Sequence, residues 1–199
     1  MSKLFEDILE CRLCEHCFQF TKTQHKLRPV VWLALGCKLL VCGQASGTRV
    51  HASGKPFDDP SRDRLRDWLG VDRGQFYDTD PFEFLPMAFW FPGYDAKNVD
   101  LPPPKLCNDT SHGRVFKTLT HVELTVLLCG YAQGWYFGTK ASLTDRLHSW
   151  RDFGADKVVL PHPFWRNNSF LKQNRIVQDD ILLYLKRQFD VILKDCANG

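Results

Sequence analysis

Two stretches of the chain concentrate side chains that can do chemistry. The first, "GQASGTRVHASGKPFDD", runs from Gly43 to Asp59 and holds Gln44, Ser46, Arg49, His51, Phe57, Asp58 and Asp59. The second, "LPHPFWRNN", runs from Leu160 to Asn168 and sets His162 between two prolines, followed by Phe164, Trp165, Arg166 and Asn167. Prolines fix the backbone and therefore fix where His162 points. A histidine so held can stabilise developing negative charge or move a proton. The plain alternative is an ordinary polar histidine. A third cluster, Cys11, Cys14 and Cys17, has the spacing C-x-x-C-x-x-C. Three thiols so spaced can face one metal or cluster, or they are structural thiols on a short helix. The glycine-rich first stretch is not a nucleotide phosphate loop, because it lacks the Lys-Ser/Thr pair of that motif.

These residues need a frame. The chain has 199 residues, 44% of them hydrophobic, which suits a single domain (1–199) with a sizeable core. Strands are expected at Lys38–Cys42, from Phe82 toward Phe91, at Val122–Gly130 and at Lys157–Leu160. Helices are expected from Asp59-Pro60 to Gly70, at Gly113–Thr120, at Leu143–Phe153 and at Asn174–Lys194. A Cys-containing helix over 1–20 packs on this frame. Residues Pro92–His112 read as a long irregular segment. Strands alternating with helices predict an α/β fold: three layers, α/β/α, around a four-stranded parallel sheet. In such sheets ligands bind at the C-terminal strand edge. That rule brings the loops after strands one, two and four together. The formal charge of +3 neither demands nor excludes a nucleic-acid partner. The opening "MSKLFEDILE" carries acids and is no signal peptide, and no apolar run approaches membrane-spanning length. A cytoplasmic monomer without membrane contact is the expectation.

The first stretch resembles the opening motif of the uracil-DNA glycosylase superfamily, nearest its iron–sulfur-containing branch and an uncharacterised bacterial subgroup. That branch reads G-E-A-P-G-x-x-E-D-x-x-G-x-P-F, and the spacing matches from Gly43 to Phe57 without a gap. "LPHPFWRNN" resembles the second, His-Pro-Ser motif, and "VELTVLLCGYA" resembles the strand before it. The resemblance implies a DNA partner and base excision: a uracil or damaged base is flipped out of DNA and its N-glycosidic bond is hydrolysed. It implies Phe57 as the platform under the base, with Gly43, Ala45 and Ser46 beside it. His162 would donate to the base as charge builds there, while Gln44 and the Gly43–Gly47 backbone position water. Arg49, Phe164, Arg166 and Asn167 would meet the DNA.

The sequence departs from that pattern. Ala45 stands where the main branch has its catalytic Asp, Gln44 where the iron–sulfur branch has an acidic residue, and His51 where that branch has an Asp. His51 is the candidate substitute, or a phosphate ligand; Asp58 and Asp59 are merely close in sequence. Pro86 replaces the Asn that reads uracil, and proline offers a base neither a side-chain hydrogen bond nor a backbone N–H. Phe164 replaces a Ser that contacts phosphate. Trp90 replaces the third cluster cysteine. Cys11, Cys14 and Cys107 keep ligand-like positions, with Cys17 as a possible fourth. No cofactor is therefore the expectation, with a degenerate or intact 4Fe-4S cluster as the alternative. The competing function class is a non-catalytic nucleic-acid or nucleotide binder on the same fold.

Overall fold

The computed structural model describes residues 3–18, 20–32, 36–77 and 82–198. Four strands, β1 (Leu39–Gly43), β2 (Phe82–Pro86), β3 (Leu124–Leu128) and β4 (Lys157–Leu160), form one sheet in the order β2-β1-β3-β4. Every pairing is parallel: Val41 lies opposite Phe84 and Val126, and Val126 lies opposite Val158. All five residues of β1 and of β3 are buried. That is why their sequences are continuous apolar runs rather than alternating ones. Helices flank the sheet, and the fold is the expected three-layer α/β/α.

The helices, in chain order, are α1 (Lys3–Leu9), α2 (Glu15–Phe18), α3 (Thr48–Ser53), α4 (Ser61–Leu69), α5 (Arg73–Phe76), α6 (Lys105–Cys107), α7 (Gly113–Phe116), α8 (Cys129–Phe137), α9 (Leu143–His148), α10 (Asn168–Gln173) and α11 (Leu182–Asn198). α4 follows the pattern read from sequence. Leu65, Trp68 and Leu69 are buried, and Gly70 closes the helix at φ 77° with its N–H on Arg66 O. Only glycine takes that left-handed closing conformation without strain.

Several expectations are corrected. The N-terminal helix over 1–20 is not continuous; residues 1, 2 and 19 of it lie outside the described residues. Arg12 donates to the carbonyls of Leu9 and Cys11 and so ends α1, leaving Cys11 and Cys14 in the turn before α2. Pro92–His112 is more ordered than expected. It makes a tight turn at Asp95–Val99, whose Asp95 carboxylate accepts from the N–H groups of Lys97 and Val99, and then enters α6 and a π-turn at Asn108–His112. The strand from Phe82 stops at Pro86. Beyond it, the Met87 and Ala88 N–H groups bond to Gly43 O and Gln44 O, so the chain leaves the ladder to brace the first loop. The helix expected at Leu143–Phe153 finishes as a 3-10 turn at Trp150–Phe153, and α11 begins after a π-turn at Val177–Ile181.

Candidate functional site at the sheet edge

The loops that follow β1, β2 and β4 meet at the C-terminal edge of the sheet. Between them lies a cleft of about 550 Å³ whose walls include Arg49, Tyr94, Asp100, Tyr131, Phe164 and Arg166. The cleft adjoins a smaller pocket of about 50 Å³ lined by Gly43, Phe57, Phe84 and Pro86. Gln44, Ala45, Ser46, Gly47, Asp59 and His162 line both spaces. Room for one water takes roughly 10–15 Å³ on this measure. The inner pocket therefore has room for a few waters or a small group, and it opens into the cleft.

His162 is held from three sides. Its carbonyl accepts from the Phe164 N–H (2.8 Å) and from Asn167 Nδ2 (2.7 Å). Arg64 of α4 reaches across to donate to Phe164 O (3.1 Å) and to Asn168 Oδ1 (2.7 Å). The sheet side is stapled by Gln133 of α8. Its Nε2 donates to Leu127 O and to Leu160 O, both at 3.0 Å, which ties the ends of β3 and β4 together just before the His162 loop. Burial pulls the His162 pKa below its ordinary value, while the carboxylates of Asp59 and Asp100 oppose that shift. At neutral pH the imidazole is therefore uncharged and carries one N–H it can donate.

Phe57 sits at φ 52°, a left-handed conformation that costs a non-glycine residue about 1–3 kcal/mol. The surrounding packing imposes it. The ring lies 4.9 Å from Phe84 and 6.1 Å from Phe76, the latter edge-on, and Asp58 N bonds back to Lys55 O. Next to it, Asp58 pairs with Arg62 at 2.5 Å. Asp59 Oδ1 accepts from the Ser61 N–H at 2.8 Å, at the start of α4.

Most of the residues expected from sequence gather here. Gly43, Gln44, Ala45, Ser46 and Phe57 line the pocket, and Arg49, Phe164, Arg166 and Asn167 line the cleft. His51 does not. It is not among the lining residues of either space; its ring packs 4.9 Å from His25 and 6.3 Å from Phe91, and burial, with His25 and Arg28 nearby, lowers its pKa. Its placement gives no support to a role in activating water at this pocket. Asp100 and Tyr131 were not singled out from sequence, and Asp59 was named there without a role in the pocket. Asp59 reads there as a helix-start residue, since Asp-Pro-Ser opens α4. Asp100 falls in a segment with no periodicity to assign its direction. Its carboxyl has a raised pKa through burial, offset by His162 and Arg166 and reinforced by Asp59.

The cysteines lie apart from the cleft and pocket. Cys14 and Cys107 are buried, and burial lifts their pKa values to about 11 and about 12; Cys17 and then Cys11 add to the Cys14 shift, and Cys14 and Cys11 add to that of Cys107, which places the four cysteines in one neighbourhood. Trp90, at the sequence position of the missing ligand, is 1% exposed and packs edge-on against Phe18. Cys17 is exposed and lies 3.5 Å from its neighbour His16. A four-thiolate cluster needs four converging thiols. Cys11, Cys14 and Cys107 with Cys17 are the thiols that would hold such a cluster, with Cys17 exposed and the buried Trp90 indole at the position of the missing ligand.

The family model of the Uracil DNA glycosylase superfamily matches residues 32–186, which include both motif loops and all four strands, and the chain belongs to that superfamily.

Proposed function

From this membership we propose that the protein is a monofunctional DNA glycosylase, which hydrolyses the N-glycosidic bond of a single-ring base flipped out of DNA. The observation that carries the reading is the joined cleft and pocket, with His162 and the Gln44–Gly47 loop on both. The cleft is open enough for a strand, and the smaller pocket opening from it could receive a flipped base. Phe57 lies under the ring. As the glycosidic bond breaks, electrons move onto the base, and the neutral His162 donates a hydrogen bond to the oxygen where charge collects. One preorganised donor of this kind contributes roughly 3–4 kcal/mol to the barrier. Arg49, Arg166 and the Phe164–Trp165 pair flank the strand, with Trp165 60% exposed and Arg166 5.6 Å above its ring. No covalent intermediate is needed, since water is the acceptor.

The test is base release from oligonucleotides carrying uracil, hypoxanthine or a thymine mispair, measured in single turnover. Release of a pyrimidine is expected, with the His162→Ala rate lower by about 10²–10³-fold. Release unaffected by that substitution sinks the role of His162. A second reading has an observation of its own. Pro86 lines the pocket where a base-reading amide is expected, and its carbonyl is taken by His112 Nε2 at 3.0 Å. A non-catalytic binder would tolerate that loss. Salt-sensitive DNA binding with no release from any substrate would favour it.

A further inference from the structure

We infer that Asp59 is the carboxylate that holds and deprotonates the attacking water, in place of the one that Ala45 lacks. The inference rests on the glycosylase reading above. Three observations carry it. Asp59 lines both the inner pocket and the outer cleft, so it borders the junction of the two, where a base in the pocket would join its sugar. Asp58 turns away into its pair with Arg62, and Asp100 lines the cleft but not the pocket. The two oxygens of Asp59 also have separate work. Oδ1 is pinned by the Ser61 N–H, while Oδ2 faces the glycine loop, 3.8 Å from where a Cβ on Gly47 would lie. That leaves Oδ2 free for a water resting on the Gln44–Gly47 shelf. Asp59 and His162 thus face the same reaction centre from opposite loops.

The step balances as follows. The bond from C1′ to the base nitrogen breaks, and its electron pair leaves with the base, where His162 donates to it. The water oxygen bonds to C1′. The water proton passes to Asp59 Oδ2 and from there to solvent, and the released base anion takes up a proton. The products are the free base and a sugar hydroxyl, with Asp59 regenerated.

Asp59→Asn is the discriminating variant, because Asn Oδ1 still accepts from Ser61. With a uracil-containing oligonucleotide, its single-turnover rate is expected to fall roughly 10²–10⁴-fold while DNA affinity stays equal or tightens. A merely structural role would instead weaken binding and lower the melting temperature together. Asp59→Ala adds a second readout: formate supplied in solution should recover at least about tenfold of its rate, within what a general base contributes. A rate for Asp59→Asn within about threefold of wild type overturns the inference and leaves the glycosylase reading standing. Folded Asp59→Ala that gains nothing from formate also overturns it. A wild-type protein that releases no base overturns both.

Discussion

His112 shows how one side chain couples acidity to the candidate site. It is fully buried, and burial lowers its pKa to about 4, against weaker opposing hydrogen bonds from the backbone at Pro86 and Cys107. Its Nε2 donates to Pro86 O at the pocket end of β2. An unfolded histidine titrates near 6.5. Between pH 6.5 and about 4 the unfolded chain binds a proton that the folded chain refuses, so stability falls as pH falls. The contribution is intact above pH 6.5, and about 3 kcal/mol of it is lost by pH 4. Urea unfolding at a series of pH values checks this: His112→Gln should flatten the slope in that window. An unchanged slope would mean that other groups govern the acid limb. His162 and His51, also lowered by burial, act with the same sign.

At the scale of elements, the Gln133 staple sets the second motif against the first. Replacing it with Leu leaves the buried carbonyls of Leu127 and Leu160 without their donor. The cost should be about 2 kcal/mol, within the range for unsatisfied buried groups, and denaturant unfolding measures it. Gln133→Glu, which cannot donate when ionised, should do no better. The strands and α4 were legible in the sequence, because their apolar runs and the Asp-Pro start with Gly stop are local signals. α8 was not. Its sequence, Cys-Gly-Tyr-Ala-Gln-Gly-Trp-Tyr-Phe, holds two glycines and no amphipathic period, and it opens on Cys129 at φ 73°, a conformation usually left to glycine. α3 was hidden in the glycine-rich first stretch, although its Gly54 stop at φ 73° was there to be read. For the site, the frame was legible because the motif spacing fixes which loops meet. The carboxylate was not, because Asp59 reaches the pocket through the turn between Phe57 and α4, a direction that residue spacing does not encode. The placement of His51 was hidden for the mirror reason. It matches an acidic position in sequence, yet α3 turns it toward His25.

Across the whole molecule the charges are nearly balanced: 26 basic and 23 acidic side chains give +3. The cleft repeats that balance locally, with Arg49 and Arg166 set against Asp59 and Asp100. Each phosphate neutralised releases counterions and steepens the salt dependence by about 0.9 in the log–log slope. Two guanidiniums suggest a slope near −2 for DNA carrying a non-hydrolysable base analogue. Fluorescence anisotropy from low to moderate salt gives the value directly. A slope steeper than about −5 would show that a wider basic surface grips the duplex. Asp100→Asn should tighten binding by removing a like charge from the phosphate path.

The same Asp100 carries a kinetic consequence. It lies close enough to Arg166 for the guanidinium to favour its ionised form, so a phosphate seeking that guanidinium meets a competitor already in place. Under the proposed function, dwell times on undamaged DNA should then be short, with lesions found by brief landings at many places, which single-molecule residence times would measure. The abasic product, held by the same light grip, should depart quickly, so a rapid-quench time course is expected to show no burst before steady-state turnover.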